Sequence, residues 1–245
     1  GAFSSFPTLL VNGTLASAST VLIDTTGGTA TGSGTDYTYT NPLTITIPAG
    51  VYDGTTATDI VFTTPNVVGD SIQEGNETIT FSLTTPGVGV ILGDANTDAT
   101  SQLTHTYTIT DDDTLLLEFT NQSPSAGEAT ASPTWTVTVS GAVLASSATV
   151  EVANLGTGSA TSGGTDFTFA SPVTITIPAG NYTSAATVTI TGLTIVEDTI
   201  PEVGGETINF TLQNPSNVTL GDADGNTTNE STATFTITDN DTPAV

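Results

Sequence analysis

The sequence predicts an all-β protein made of two tandem β-sandwiches arranged end to end. The first observation is the alternation of apolar residues with Thr or Asn, as in Trp135–Val139, Ile208–Leu212 and Ala233–Ile237. A period of two places one face of a strand in a core and the other in water. Clusters of Gly, Pro, Asn and Asp separate these runs at the spacing of sandwich strands. Finally, no window of 11 residues carries a helical apolar stripe.

The number of sandwiches follows from an internal repeat. Thr44–Gly50 recurs with identical residues as Thr174–Gly180, and Glu77–Phe81 matches Glu206–Phe210 with one substitution. The offset drifts slightly along the chain, which is typical of small loop insertions between otherwise equivalent copies. At 245 residues the chain is long enough for two domains that each bury a core. The repeat therefore predicts two domains of the same fold.

The boundary between the two copies is predicted near Asp113, giving domains 1–113 and 114–245. The run Leu115–Phe119 begins the first strand of the second copy immediately after Asp111–Asp113 ends the first. No flexible linker separates the copies, so the sequence predicts a semi-rigid rod.

The first copy lacks its opening strand. Thr8–Val11 aligns with Thr136–Val139, so nothing in the first copy corresponds to the stretch from Leu115 to Glu128. Two explanations stay open. Either the chain is a window from a longer tandem array, or a neighbouring copy donates the missing edge strand by β-augmentation.

Charge narrows the possible partners. The chain has 25 Asp plus Glu, no Lys or Arg, and a formal net charge of −25. Nucleic acids and anionic membranes are bound through Lys and Arg, so neither is an expected partner. No run of 18 apolar residues exists, so no membrane span is expected. The absence of Lys, Arg, Cys and Met, which removes trypsin-type cleavage sites and the most oxidisable side chains, favours an extracellular, cell-surface or secreted location.

Residue types also limit the chemistry. With no Cys and a single His, His105, the chain offers neither a zinc site nor a nucleophile–base pair. We therefore expect a protein that is not an enzyme. His105 is predicted to point outward from its strand, and Trp135 to pack in the second core. Asp94 and Asp222, in Gly-Asp-Ala sequences, are predicted to form turns.

The acidic residues form a repeated constellation. A carboxylate that is incompletely hydrated requires a counter-charge or a proton, and this chain has no cationic side chain to supply one except His105. Carboxylates at strand ends and in the preceding loop can collect at one pole of a sandwich, and six to eight oxygen ligands suit Ca²⁺. The candidate acids are Asp36, Asp70, Glu74, Glu77, Asp111, Asp112 and Asp113 in the first copy, and Glu128, Asp166, Glu197, Asp198, Glu202, Glu206, Asp239 and Asp241 in the second.

Several of these motifs together resemble the Calx-beta domain family. They are Gly34–Tyr37 with its counterpart Gly164–Phe167, then Leu43–Gly50, the acidic loop before Glu77–Leu83, and the closing Ile109–Asp113. The resemblance covers nearly all of both copies. It implies an immunoglobulin-like sandwich of about seven strands that binds Ca²⁺ at one end.

The resemblance also implies a ligand set. Two departures from the pattern are that the first copy has no equivalent of Glu128, and that Asn240 replaces the middle Asp of the closing motif in the second copy. The implied metal ligands are Asp36, Asp70, Glu74, Glu77, Asp111, Asp112 and Asp113 in the first copy, and Glu128, Asp166, Asp198, Glu202, Glu206, Asp239 and Asp241 in the second.

These features predict a structural segment of an extracellular bacterial adhesin stalk or filament, rigidified by calcium at domain junctions. Its partners would be neighbouring copies of the same repeat. An alternative is a glycan- or protein-binding module of a cell-surface protein, which would show saturable binding to a surface ligand. A third hypothesis, a regulatory Ca²⁺ sensor, requires a large conformational change on Ca²⁺ binding.

Overall fold

The structure, a computed structural model, describes residues 8–55, 63–202 and 204–242. The chain divides into two compact units, Gly1–Asp70 with Glu74–Asp112, and Ser71–Gln73 with Asp113–Val245. Every regular element in the described ranges is a β-strand, which confirms the predicted all-β class. Within the same ranges, no helix exists that could cross a membrane.

The first unit is built on one four-stranded antiparallel sheet. Its strands are β1 (Asn12–Leu15), β2 (Ser19–Gly28), β3 (Tyr37–Thr38), β4 (Leu43–Ile47), β5 (Gly50–Asp53), β6 (Asn66–Val67), β8 (Glu77–Thr84) and β9 (Thr104–Ile109). The main sheet has the order β4-β2-β8-β9, and β1-β5 and β3-β6 form two short antiparallel pairs.

The second unit contains two larger sheets. Its strands are β7 (Ile72–Gln73), β10 (Leu116–Phe119), β11 (Ser125–Gly127), β12 (Trp135–Ser140), β13 (Val143–Leu144), β14 (Ala148–Asn154), β15 (Phe167–Thr168), β16 (Val173–Ile177), β17 (Gly180–Asn181), β18 (Ala186–Ile190), β19 (Thr194–Ile195), β20 (Glu206–Ser216), β21 (Thr219–Leu220) and β22 (Thr232–Thr238). The sheet orders are β18-β12-β10-β21 and β11-β22-β20-β14-β16, with small sheets β17-β13-β7 and β15-β19.

The core of the second unit lies between its two large sheets. Trp135 on β12 packs against Phe210 on β20 and Phe235 on β22, with ring centroids 5.1 and 5.5 Å apart. Such offset aromatic contacts add to the hydrophobic free energy of burial. Trp135 is only 7% exposed, so the prediction that it belongs to the core is confirmed.

The core of the first unit is smaller. Its buried side chains come mainly from the sheet β4-β2-β8-β9, and include Val21, Ile45, Phe81 and Tyr107. The prediction that His105 points outward is wrong. It lies directly opposite Phe81 in the β8–β9 ladder, and paired residues share one face of a sheet, so His105 is half-buried on the core side.

Equivalent strands of the two units follow the sequence repeat. The sheet β4-β2-β8-β9 corresponds to β16-β14-β20-β22 of the second unit. In both, a long central strand begins with a glutamate, Glu77 or Glu206. This shared sheet brings the acidic loops of each unit to the same end of the strands.

Candidate metal centre

The acids of the second unit converge because they sit at neighbouring strand ends. Glu128 directly follows β11, and Asp239 directly follows β22. These two strands are parallel neighbours, and the Glu128 amide donates to the Thr238 carbonyl over 3.1 Å. Parallel strands bring the residues that follow them to one edge of the sheet. The pairing therefore places two carboxylates side by side.

A third carboxylate comes from the loop before β20. The backbone amide of Glu202 donates to Asp239 Oδ2 over 2.7 Å. One carboxylate oxygen from each of Glu128, Glu202 and Asp239 lies within 4.8 Å of the other two. The backbone amide of Asp241 donates to the other oxygen of Asp239, also over 2.7 Å. These bonds fix the orientation of Asp239 toward the cluster.

Two further acids, Asp166 and Glu206, extend the centre. Asp166 closes its own loop, because its amide donates to the Thr161 carbonyl over 3.1 Å and its Oδ2 accepts the Thr161 amide. Burial raises the pKa of Glu206 to about 7, and contact with Asp166 adds to the rise. A pKa raised in this way indicates a carboxylate that has lost water and also lies beside other acids.

The electrostatics of the centre favour a bound cation. Burial raises the pKa of Glu128 to about 7, with further contributions from Glu202, Asp239 and Asp198. Glu128 is 4% exposed. One oxygen each of Glu128, Glu206 and Asp241 is buried without a hydrogen-bond partner. Buried acceptors are normally satisfied, so these oxygens fit a site for a metal ion.

The first unit has a corresponding centre formed by Asp36, Glu74 and Glu77. One carboxylate oxygen of each lies within 4.8 Å of the others. The Glu74 amide donates to Asp111 Oδ2 over 2.8 Å, which is the counterpart of the bond to Asp239 in the second unit. Burial, then contact with Asp36, raises the pKa of Glu77 to about 7.

The remaining predicted ligands occupy different positions around these groups. Burial raises the pKa of Glu74, and the negative charges of Asp70 and Asp111 add to that rise. Asp198 accepts the Ile200 amide over 2.7 Å and contributes to the field at Glu128. Within the described ranges, Asp112 and Asp113 belong to none of the groups whose oxygens approach within 4.8 Å.

A third acidic group, which the sequence reasoning missed, is formed by Glu118, Asp224 and Glu230. Asp222 nearby forms a turn as predicted, since it accepts the amides of Gly225 and Thr227 over 2.7 Å each. Two signals could have identified the group. Glu118 interrupts an apolar strand, and oxygen-bearing side chains occupy every second position from Asp222 to Glu230.

The donor chemistry at all three groups is oxygen only. Carboxylates with main-chain and water oxygens are the ligands of hard cations such as Ca²⁺, whereas Zn²⁺ prefers His and Cys. The residues present therefore fit Ca²⁺, and they would hold it by charge. The only histidine, His105, belongs to none of these groups. It lies on β9 opposite Phe81, four residues along β8 from Glu77.

An all-β sandwich with acidic clusters at its strand ends defines a class of cation-binding repeat modules. The model of the Calx-beta domain family matches residues 2–104 and 110–241. The chain therefore belongs to the Calx-beta family, whose domains are calcium-binding modules, and it carries two tandem copies.

Solved structures with similarity to the chain include three of Calx origin. The apo form of the Calx CBD1 domain is 19% identical, with a TM-score of 0.41, covering 53% of this chain and all of that one. CBD12 from CALX1.2 is 17% identical, with a TM-score of 0.36 and coverage of 94% and 91%. The calcium binding domain CBD12 of CALX1.1 is 16% identical, with a TM-score of 0.32 and coverage of 91% and 89%. No curated protein matches the chain.

Proposed function

We propose that the chain is a structural segment of an extracellular adhesin stalk or filament, rigidified by Ca²⁺ where repeats join. The observation that carries this proposal is the pair of buried carboxylate oxygens of Glu128 and Glu206 that have no hydrogen-bond partner. They occur in a chain without a single Lys or Arg. Leaving such charges buried and unpaired costs several kcal/mol, which a bound divalent cation removes.

The stabilisation expected from the ion is moderate and depends on its concentration. A ligand that binds only the folded state adds RT ln(1 + [L]/Kd), about 2.7 kcal/mol at 100 times Kd. Extracellular calcium modules have Kd values on the order of 10⁻⁴ to 10⁻³ M. At millimolar Ca²⁺ each centre then contributes on the order of 1 kcal/mol. At millimolar Ca²⁺ an ion of this affinity occupies about half of the sites or more and acts as a structural component outside the cell.

Composition supports a non-catalytic role outside the cell. Calx-beta domains are calcium-binding modules rather than catalysts. The absence of Lys and Arg removes every trypsin-type cleavage site, and the absence of Cys and Met removes the most oxidisable side chains. Both absences suit a long-lived load-bearing protein exposed to proteases and oxidants.

The mechanical role is tested by pulling single chains through their two termini. We expect the unfolding force to be higher in millimolar Ca²⁺ than in chelator, and Mg²⁺ to restore little of the difference because Mg²⁺ retains its water ligands. Glu128→Gln should reduce the difference in force between Ca²⁺ and chelator, whereas Glu151→Gln, outside all three acidic groups, should leave that difference unchanged. Equal forces in Ca²⁺ and chelator would contradict the proposal.

A second candidate function, assembly by strand donation, is favoured by a groove in the first unit. In the second unit, β10 lies between β12 and β21. The segments equivalent to β12 and β21 in the first unit are residues 8–12 and 91–92. A groove of about 310 Å³ lies between them, lined by apolar side chains that include Leu9, Val21 and Leu92. We propose that a neighbouring copy supplies an edge strand equivalent to β10 there.

Strand donation is tested with a synthetic peptide spanning Leu115 to Thr120. Leu117 is fully buried in the second unit, so a peptide carrying Leu117→Asp is the matched control. We expect the native peptide to bind the full chain and to shift amide resonances of Leu9 and Leu92, and the control peptide to bind at least tenfold more weakly. Equal binding of the two peptides, or no binding by either, would rule out donation.

A further inference from the structure

We propose that Glu118, Asp224 and Glu230 form an additional divalent-cation site of the Ca²⁺ type in the second repeat. One carboxylate oxygen of each lies within 4.8 Å of the other two. The site is separate from the centre around Glu128. It is built from the middle of β10 and from the loop that joins β21 to β22.

Glu118 is the buried base of this site. It is 0% exposed, although it lies in a strand whose neighbours are apolar. Its Oε1 accepts the backbone amides of Ala223 and Asp224 over 2.7 and 2.8 Å, and its Oε2 accepts the amide of Glu230 over 3.2 Å. Three donated hydrogen bonds stabilise the ionised form of a carboxylate. The loop is therefore wrapped around a negative charge.

Glu230 adds a second buried carboxylate against the first. It is 9% exposed, and its Oε1 accepts the Thr228 hydroxyl. Its Oε2 is fully buried and has no hydrogen-bond partner within the described ranges. An unsatisfied buried carboxylate oxygen beside another carboxylate is unfavourable unless a proton or a cation lies between them.

No side chain of the protein can supply the missing positive charge. The sequence contains no Lys or Arg, and its one histidine, His105, belongs to the first unit. Burial, followed by contact with Glu230, raises the pKa of Glu118, while the loop amides oppose that rise. The choice therefore lies between one shared proton and an external cation.

The loop supplies the further oxygens that favour a cation over a proton. Asp224 is exposed and completes the group of three carboxylates. Asn226 and Thr228 carry side-chain oxygens two and four residues later. Together with water, these donors approach the six to eight oxygen ligands that Ca²⁺ prefers.

The additional site and the centre around Glu128 lie at opposite ends of β22. Glu230 precedes the first residue of β22, Thr232, by two positions, and Asp239 directly follows the last, Thr238. At about 3.3 Å per residue the two sites are roughly 30 Å apart along the strand. This exceeds the Debye length of about 8 Å at physiological ionic strength. The two sites should therefore bind independently.

The first repeat lacks the same site within this chain. The loop that begins at Gly93-Asp94-Ala95 aligns with the one that begins at Gly221-Asp222-Ala223, and Asn96 and Gln102 then stand at the places of Asp224 and Glu230. Two carboxylates are thus replaced by amides. Because the first repeat carries Gln102 at the position of Glu230, Glu230→Gln is the substitution that tests the site most directly.

The site is tested by calorimetric titration of the full chain with CaCl₂. We expect Glu230→Gln to bind one Ca²⁺ fewer per chain than the wild type, and Glu151→Gln, a matched change outside the acidic groups, to bind the wild-type number. In the wild type, Ca²⁺ should shift the amide resonances of Ala223 and Asp224, and Glu230→Gln should abolish those shifts. Glu128→Gln should leave them intact, which separates this site from the centre around Glu128.

Two observations together would overturn the proposal. An unchanged Ca²⁺ number in Glu230→Gln, with no Ca²⁺-induced shift at Ala223 and Asp224 in the wild type, would show that the two glutamates share a proton and would overturn the proposal. If Glu230→Gln fails to fold, as judged by Trp135 fluorescence, the exposed variant Asp224→Asn replaces it. That variant should bind Ca²⁺ at this site at least tenfold more weakly, and wild-type affinity would overturn the proposal equally.

Discussion

The acidic poles of the two repeats share one backbone frame but differ in the burial of their carboxylates. In the first, the Glu74 amide bonds to Asp111, and in the second the Glu202 amide bonds to Asp239 in the same way. Within the part of the chain that the structure describes, the second also contains Glu128, a glutamate that is 4% exposed. Within the described ranges, unsatisfied buried carboxylate oxygens occur in the second pole and not in the first.

This difference separates two contributions to an ion site. The strand ends and loop amides determine where the carboxylates meet, and they are common to both repeats. The need for a cation arises from burial of the carboxylates, because a buried carboxylate has lost the water that would otherwise stabilise its charge. We therefore expect the second repeat to bind Ca²⁺ more tightly and to depend on it more.

Removal of Ca²⁺ should produce the largest effect. With free Ca²⁺ near 100 times Kd, chelation should lower the melting midpoint of the second repeat by roughly 10 °C, and that of a tenfold weaker first repeat by about half as much. Trp135, the single Trp and part of the second core, reports the second repeat, and calorimetry reports both. Identical midpoints with Ca²⁺ and with chelator would show that the ion stabilises neither repeat.

Glu128→Gln should give the next largest effect, with opposite signs in the two conditions. In Ca²⁺, loss of a charged ligand should weaken binding about tenfold and destabilise the second repeat by about 1.4 kcal/mol. In chelator at pH 8, the same change removes a buried charge held among acids and should raise the midpoint of Trp135 unfolding. The measurement is the Trp135 midpoint in both conditions.

The control for this prediction is Glu151→Gln, whose carboxylate accepts hydrogen bonds from Gln213 and Asn214 outside the acidic groups. It should change the midpoint equally in Ca²⁺ and in chelator. If Glu128→Gln lowers the midpoint in both conditions, Glu128 stabilises the fold without an ion and the distinction between the two poles is lost.

Much of the fold could be predicted from the sequence because it depends on local patterns. Period-two alternation predicted β12, β20 and β22, and the structure confirms each of these strands. The convergence of Glu202 with Asp239 could be expected from the loop position of Glu202 before β20 and the position of Asp239 at a strand end. These features follow from strand geometry, which can be predicted from the periodicity of short windows of sequence.

The other features depend on strand register and on contacts between distant residues, which cannot be predicted from a short window of sequence. The orientation of His105 follows from the β8–β9 register, since a slip of one residue exchanges the two faces of a strand. The group around Glu118 joins residues more than 100 positions apart through main-chain bonds to a loop. Asp224 and Glu230 could be seen in the sequence, but their buried partner on β10 could not be assigned to them.

The two repeats should also differ in how their stability depends on pH. Glu128 and Glu206 have pKa values raised to about 7 in the second repeat, against Glu77 alone in the first. A carboxyl group with a raised folded-state pKa holds its proton in the native state and releases it on unfolding. Its stabilising contribution is therefore complete below its ordinary pKa of 4.5 and is lost as the pH rises through about 7.

In chelator, both repeats should thus lose stability between pH 5 and pH 8, and the second should lose more because it takes up about two protons against about one. Saturating Ca²⁺ should suppress this loss, since the ion replaces the protons, and Ca²⁺ affinity should rise with pH. The measurement is the melting midpoint of each repeat at several pH values. Greater stability at pH 8 than at pH 5 in chelator would contradict the assigned protonation.

Asn240→Asp should have the smallest effect, and it restores in the second repeat the triple Asp that closes the first. Asn240 is exposed and its Nδ2 donates to Glu197 Oε1 over 3.1 Å. The substitution exchanges that bond for repulsion, so the second repeat should lose about 0.5 kcal/mol in chelator. An exposed added charge is screened by solvent and salt, so Ca²⁺ affinity should rise less than about threefold. A tenfold rise would show that charge count at the surface, rather than burial at Glu128, determines which repeat binds the ion.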